Sequence, residues 1–444
     1  LKIVDGQILS ENNKVYLRKS CEEHGRVEVL LYSDTDEYIK AVKSNKPGSK
    51  PLKIQGHVKE GCPFDCGLCE DHKQHTCVGI IEITEKCNLR CPVCFADSKQ
   101  GVSLPFETVK KMIDLYVECE GAPEVLQISG GEPTIHPDIF RILKYLGRKG
   151  IKYPMLNTNG IMLAEYDFAK EISLTMDDGD SILGRPLIYM QFDGVTEETV
   201  IALRGRPLLE LKLKAIENCR NLGMNVALVP TVVKGINDHE IGPIIDQALS
   251  DKNIKTVNFQ PVSLAGRFTP GEKLKRRMTL PEILDEIELQ TSMQVKKKNF
   301  INIPCPYPTC ATSNYVYRVE DTIFSLADFL DVNDFMCDSI NRAIPDEKLL
   351  SDVSQAFHSL FSMSAVPGSE ESSKALGDIS GNEKPETMLD IVKFVENITL
   401  ISVHAFMDKY CFDLKRAQKC CVTEILPNGR MIPFCVYNVL YRKK

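Results

Sequence analysis

Several things are missing from this 444-residue sequence, and each absence excludes something. There is no basic excess: the formal net charge is −7. Nucleic-acid binders usually carry a basic surface, so no nucleic-acid partner is expected. No apolar run approaches the ~20 residues that cross a bilayer; the longest candidate, 226–233, reads as a buried strand. No signal peptide opens the chain, and Leu1 in place of methionine is read as a sign that natural residues precede it. Charge is not gathered into blocks. The short clusters Lys273, Lys275, Arg276, Arg277 and Lys296, Lys297, Lys298 read as solvated helix ends. What remains, 43% hydrophobic and 26% charged residues, is the balance of a globular protein of two or three domains.

Cysteine, by contrast, is abundant, with 17 residues. Small secreted scaffolds use many cysteines for disulfides because their cores are poor. This chain is long, and its cysteines fall in metal-ligand spacings, so a cytoplasmic, reducing setting is expected. The spacing C-x3-C-x2-C occurs twice, as Cys62, Cys66, Cys69 and as Cys87, Cys91, Cys94. Only the first has a fourth cysteine nearby, Cys77. A cubic cluster has four irons and takes four ligands. The first set therefore reads as a closed auxiliary cluster, with zinc the alternative. The second leaves one iron open to a ligand that is not protein. His72 and His75 read as neighbours of ligands rather than ligands.

Toward the C-terminus come Cys305, Cys310, Cys411, Cys420, Cys421 and Cys435. The expected set for a second auxiliary cluster is Cys305, Cys310, Cys420 and Cys435, with Cys411 in reserve. Adjacent Cys420 and Cys421 point in different directions, so only one should ligate. Cys119, Cys219 and Cys337 read as structural thiols. Cys21, followed by Glu22-Glu23-His24-Gly25, resembles half of a metal knuckle for one iron or zinc ion; an ordinary reduced cysteine fits equally.

Residues 1–60 read as a small β-rich unit with strands at 15–19 and 28–32, and 61–79 as the auxiliary-cluster loop. From Val78 onward strands and helices alternate. Strands fall at 78–84, 125–129, 154–157, 187–192, 225–232 and 256–261, with helices between them. Alternation of this kind gives parallel strands with crossover helices. Six strands are too few for a closed eight-stranded barrel, so the expected fold is α/β, a partial (β/α)6 barrel over 80–298. Residues 299–444 are expected to form a C-terminal auxiliary-cluster and lid domain. Within it, 362–386 reads as a linker, while 349–361 and 388–407 read as apolar helices.

The motifs at the strand ends carry a resemblance. Cys87-Asn88-Leu89-Arg90-Cys91-Pro92-Val93-Cys94 follows the first strand, and Ser129-Gly130-Gly131-Glu132-Pro133 follows the second. Leu156-Asn157-Thr158-Asn159-Gly160 follows the third, and Gln191-Phe192-Asp193-Gly194 the fourth. In this order, over 78–261, they resemble the radical S-adenosylmethionine (SAM) enzymes. The resemblance implies that Cys87, Cys91 and Cys94 hold a catalytic 4Fe-4S cluster whose open iron binds SAM. It implies that Ser129, Gly130, Gly131 and Glu132 receive the SAM ammonium, and that Asn157 and Asn159 bind ribose or carboxylate. Asp193 and Arg204 would contact SAM or substrate, and Gln260 would lie beside the adenine. With the two auxiliary sets, three 4Fe-4S clusters are expected.

The block Gly61–Cys77 running into Cys87, with Pro433–Asn438, resembles an archaeal class D group. That group contains pterin methyltransferases and tetraether lipid synthases, and the resemblance falls nearer the latter. It implies hydrogen abstraction from terminal methyl carbons of archaeal glycerol ether lipids. Two chains would then be coupled by a carbon–carbon bond, with an auxiliary cluster holding the radical. The expected partners are the lipid, a low-potential electron donor and a membrane touched peripherally. The alternative is methyl transfer to a pterin with SAM as donor. A non-catalytic metal-binding protein is the third reading, opposed by the full order of motifs.

Overall fold

The computed structural model describes residues 3–98, 101–176, 184–268, 276–319, 321–328 and 397–442. The expectations for Lys273, Lys275, Cys337, 349–361, 362–386 and 388–396 lie outside these residues.

The N-terminal unit is an antiparallel sheet of three strands, β1 (Gly6–Glu11), β2 (Lys14–Cys21) and β3 (Gly25–Tyr32), followed by α1 (Thr35–Lys43). Asp34 caps α1 by accepting a hydrogen bond from the Glu37 N–H at 3.0 Å. The sequence pattern missed β1, whose residues are nearly all exposed and so carry no apolar alternation.

All six expected barrel strands form: β4 (Val78–Glu82), β5 (Val125–Ser129), β6 (Tyr153–Thr158), β7 (Leu187–Gln191), β8 (Val226–Val229), extended by β9 (Thr231–Val232), and β10 (Ile254–Pro261). They pair in parallel and in chain order. Helices α2 (Phe106–Glu120), α3 (Ile139–Gly147), α4 (Tyr166–Ser173), α5 (Glu197–Arg204), α6 (Leu209–Asn221) and α7 (Ile241–Leu249) form the crossovers, and α8 (Leu280–Gln290) follows β10. Their spacing explains their packing: Val109, Met112, Ile113 and Tyr116 make one buried stripe on α2. Tyr116 carries its hydroxyl into that core and donates it to the Val125 carbonyl at 3.0 Å.

The C-terminal region holds β11 (Ile301–Asn302), β12 (Ala311–Val319), β13 (Thr322–Ser325), β14 (Thr399–His404), α9 (Leu414–Gln418), β15 (Val422–Ile425) and β16 (Met431–Pro433). Two of these strands enlarge the barrel. β14 pairs in parallel with β10, and β15 in parallel with β4. The parallel run is therefore β15-β4-β5-β6-β7-β8-β10-β14, flanked by antiparallel β16 and β12. Residues 399–404, expected to be helical, are thus strand. The apolar run Leu400-Ile401-Ser402-Val403 satisfies either period, and its partner β10 decides between them. Among the described residues no helix is long and apolar enough to cross a membrane.

Every strand of the run turns alternate residues inward. Ile80, Gln127, Asn157, Tyr189, Asn258, Ser402 and Glu424 line one cavity of about 450 Å³. The other faces make the core against the helices. Ile401 of β14 is fully buried there. Ile401→Ala should lower the unfolding free energy by about 2–5 kcal/mol, with the barrel and β14 melting together in denaturant. An unchanged midpoint would show that β14 is not part of the barrel core.

Candidate active site

The loop carrying Cys87, Cys91 and Cys94 leaves β4 at the C-terminal end of the barrel, and all three residues line the cavity. Sixteen cysteines are described and none is in a disulfide. The donor set thus fits a cluster held by three thiolates with one iron left open. Burial pushes the Cys87 thiol up to about 11, and the negative charge of Glu132 adds to the rise. A bound metal removes that barrier by taking the thiolate.

The loop is braced from three sides. Gly131 N–H donates to Thr84 O at 2.6 Å and Glu132 N–H to Lys86 O at 2.8 Å. A Cβ on Gly131 would collide with the Lys86 carbonyl. The paired glycines therefore let one backbone approach another. On the far side Gly266, at φ +58, lies against the Cys94 carbonyl. Its neighbour Arg267 donates to Cys91 O at 2.8 Å, to Asp97 at 3.0 Å and to Ser98 O.

The third brace is Arg204. Its guanidinium grips the Asp193 carboxylate at 2.6 and 2.5 Å and donates to Val93 O at 2.9 Å. Burial works against the charge, yet Asp193 holds Arg204 above its ordinary pKa, and the neighbouring Cys91 thiol adds to this. Asp193 was expected to touch SAM or substrate. Instead its carboxylate is fully buried and accepts from Arg204, from Thr231 N–H at 3.0 Å and from Gln191. Arg204 itself faces the cavity.

Glu132 is 1% exposed. It accepts from Thr134 Oγ1 at 2.6 Å, Thr158 Oγ1 at 2.7 Å and Asn159 N–H at 2.7 Å. Burial raises its pKa and these donors oppose the rise. They aim the carboxylate while leaving lone-pair capacity on Oε2 toward the cavity. Asn159 reaches Asn88 in the cysteine loop at 2.7 Å, and Asn157 donates to Ser129 Oγ at 3.0 Å. Gln260 and Asn258 both donate to the Tyr189 hydroxyl, at 2.8 and 2.6 Å. Sequence reasoning missed Lys212, which is 1% exposed and ties Asn159 O to Gln191 O at 3.1 and 2.6 Å. Burial lowers it to about 8. A lysine within an amphipathic helix gives no signal of this.

The other cysteines regroup. Cys62 and Cys66 share a hydrogen bond that holds Cys62 low and Cys66 high, with Cys69 beside Cys66. Cys77, expected to join them, lies instead with Cys305 and Cys421, their sulfurs within 4.8 Å of one another and all buried. The cause is sheet pairing: Cys77 precedes β4 and Cys421 precedes its parallel neighbour β15, with Cys77 N–H donating to Cys421 O at 2.9 Å. The trio therefore sits at the N-terminal end of the barrel, opposite the Cys87 loop. Its compactness fits a single ion, since zinc–sulfur bonds of about 2.3 Å place tetrahedral thiolates ~3.8 Å apart. His75 Nε2 stands 3.7 Å from Cys77 Sγ, and its Nδ1 meets Glu120 at 2.9 Å, a carboxylate that fixes its tautomer.

Cys305 is thus parted from its expected partners, and Cys421 replaces Cys420 beside it. Cys310, Cys420 and Cys435 remain neighbours: burial raises the Cys435 thiol, with Cys420 and Cys310 contributing. Arg416 donates to Cys310 Sγ at 3.1 Å and also senses Cys411 and Cys435. At the N-terminal unit, the Cys21 thiol lies 3.4 Å from His24 Nδ1, a contact that lowers its pKa.

A three-cysteine loop at the first strand of a parallel barrel, set against a Gly-Gly-Glu turn, is the geometry of a radical SAM enzyme, and this chain belongs to that superfamily. The family model described as Radical SAM superfamily matches residues 81–248, and that described as HMPTM N-terminal zinc ribbon domain matches residues 1–33. The 7,8-dihydro-6-hydroxymethylpterin dimethyltransferase of Methanocaldococcus jannaschii is 33% identical over 478 residues, covering 100% of this chain and 92% of that protein. GTP 3′,8-cyclase of Petrotoga mobilis is 26% identical over 192 residues, 41% of this chain and 55% of that one. Among solved structures, Streptococcus suis SuiB bound to S-adenosylmethionine aligns with TM-score 0.41 at 18% identity, over 50% of this chain and 48% of that chain. The expected nearness to tetraether lipid synthases is not what these comparisons find; the full-length match is to a pterin methyltransferase.

Three substitutions test the geometry. Gly131→Ala should displace the cysteine loop and lower 5′-deoxyadenosine formation by about 100-fold, while metal at the Cys77 trio stays. Normal activity would refute the close approach as a requirement. Cys421→Ser should remove one metal equivalent by elemental analysis and Cys420→Ser should leave that equivalent in place; the reverse result would return Cys420 to the set.

Proposed function

We propose that this chain is a radical SAM methyltransferase acting on a reduced pterin. The observation that carries the reading is the set of polar side chains that the strands turn into an otherwise largely apolar cavity. Gln127, Asn157, Tyr189, Asn258 and Gln260 project inward from neighbouring strands. A flat heterocycle rich in donors and acceptors can pair with such groups. Tyr189, Asn258 and Gln260 bond one another, yet they keep donor and acceptor capacity that a hydrocarbon chain could not use. That unused capacity sets the pterin reading ahead of the lipid one. The full-length relative named as a dihydropterin dimethyltransferase supports the same choice.

When bound, a 4Fe-4S cluster and SAM supply a 5′-deoxyadenosyl radical for hydrogen abstraction. The residues of this chain prepare the site. Glu132 offers its aimed carboxylate to a ligand ammonium. Arg204 keeps a positive charge beside Cys91, and burial makes that charge count for more than it would in water. Lys212 fixes the strand ends that carry Asn159 and Gln191. Phe95, Phe406 and Phe434 pack at 5.0–5.7 Å between the cysteine loop and the C-terminal region, narrowing the path for water. A low-potential electron donor belongs to the same proposal.

Anaerobically reconstituted protein, given SAM, a reductant and 7,8-dihydro-6-hydroxymethylpterin, should release 5′-deoxyadenosine and a pterin heavier by one or two methyl groups. Methyl-labelled SAM identifies the donor. An unmodified pterin, together with chain-linked product from an archaeal ether lipid, would overturn the reading.

A further inference from the structure

The cavity also holds a buried carboxyl, that of Glu424. Glu424 lies on β15, paired in register with Ile80 of β4. Strand alternation turns Val422 and Glu424 into the barrel, and Glu424 is 1% exposed. Its Oε1 is buried without a hydrogen-bond partner among the described residues. The obvious counter-charge is already committed. Arg442 holds both oxygens of Glu82, at 2.6 and 3.0 Å, and donates to Asn438 at 2.7 Å. Burial, reinforced by Glu82 and only partly offset by Arg442, raises the Glu424 carboxyl well above the usual range.

A buried carboxyl without a donor is costly, and the cost disappears once a ligand supplies N–H groups. We propose that Glu424 recognises the amino-lactam edge of the substrate, accepting hydrogen bonds from its exocyclic amine and the adjacent ring N–H. This rests on the pterin reading and deepens it. A carboxylate can accept from two neighbouring donors at once, the pattern a 2-amino-4-oxopyrimidine presents. Two donors match the two oxygens of one carboxylate, and their approach favours its charged form. Glu424 stands on the strand beside β4, whose end carries the cysteine loop. The same contact would therefore set how the ring faces the SAM site.

The test measures binding to the cluster-loaded protein of a dihydropterin and of its 2-oxo analogue, in which the amine is replaced by oxygen. Wild type should prefer the dihydropterin by at least about tenfold. Glu424→Gln, which keeps the size but offers one acceptor and one unwanted donor, should weaken dihydropterin binding by at least about tenfold and abolish the preference. Iron content and cluster absorbance equal to wild type show that the variant is folded and loaded. The wild-type preference is itself a measurement that needs no variant. Equal binding of the two ligands by wild type would overturn the proposal, as would a preference surviving in Glu424→Gln. If wild type binds and methylates the dihydropterin while either result holds, the assignment to Glu424 fails and the proposed function stands. If wild type neither binds nor methylates it, both fail.

Discussion

The buried pair of Arg204 and Asp193 is the joint on which the site depends. Asp193 follows β7, Thr231 opens β9, and Val93 belongs to the cysteine loop; Arg204 touches all three. Such a pair is weak evidence of stability, because desolvating two charges can exceed their attraction. Losing one partner is a different matter, costing about 3–5 kcal/mol by leaving a charge uncompensated. The pair therefore specifies position. It holds the loop in register with the strand ends and sets a fixed positive charge beside Cys91. Thiolates that bind a cluster accumulate negative charge, and a guanidinium held at low dielectric favours it without needing to move. Arg267 repeats the device on the other side of the loop, with carbonyl oxygens as acceptors.

The barrel has chemistry at both ends for the same reason. Parallel strands in register place residues that follow neighbouring strands together at one end, and those that precede them together at the other. Cys87, Cys91 and Cys94 follow β4. Cys77 and Cys421 precede β4 and β15, so pairing alone brings them together, and Cys305 arrives beside them. A metal there would tie the first barrel strand to the C-terminal strand beside it. Active sites in barrels occupy the C-terminal end, while the other end serves stability. The compact, buried trio suits the second role.

This sets the limit of what the sequence could disclose. The six barrel strands and the motifs after them were legible because strand–helix alternation and chain order coincide. The cysteine triplets were legible as spacings. Assigning Cys77 to the first triplet failed because proximity in sequence competed with proximity across a sheet, and the sheet won. Cys420 and Cys421 cannot be told apart by spacing; only the pairing of β15 with β4 shows which one faces Cys77. β14 was hidden because a short apolar run fits two periods until its neighbour is known. Lys212 and Glu424 left no trace, since a charged residue in an amphipathic element is ordinarily solvated. Their burial follows from the strands and helices around them.

The cavity joins these threads. A carbon radical must be kept from water, which favours an apolar enclosure, yet a polar ring must be held in one orientation. The barrel meets both demands by mixing the two kinds of residue. Aromatic side chains close the end near the cysteine loop, and amides, hydroxyls and carboxyls stand among apolar residues on the strands below it. Two of these strands' inward polar groups already satisfy one another, as Tyr189, Asn258 and Gln260 do, and are thereby preorganised. Glu424 is left with an oxygen unsatisfied. Ser263 Oγ in the same lining is also unpartnered, but only Glu424 brings a carboxyl, and the β15–β4 pairing places it next to the strand that leads into the cysteine loop.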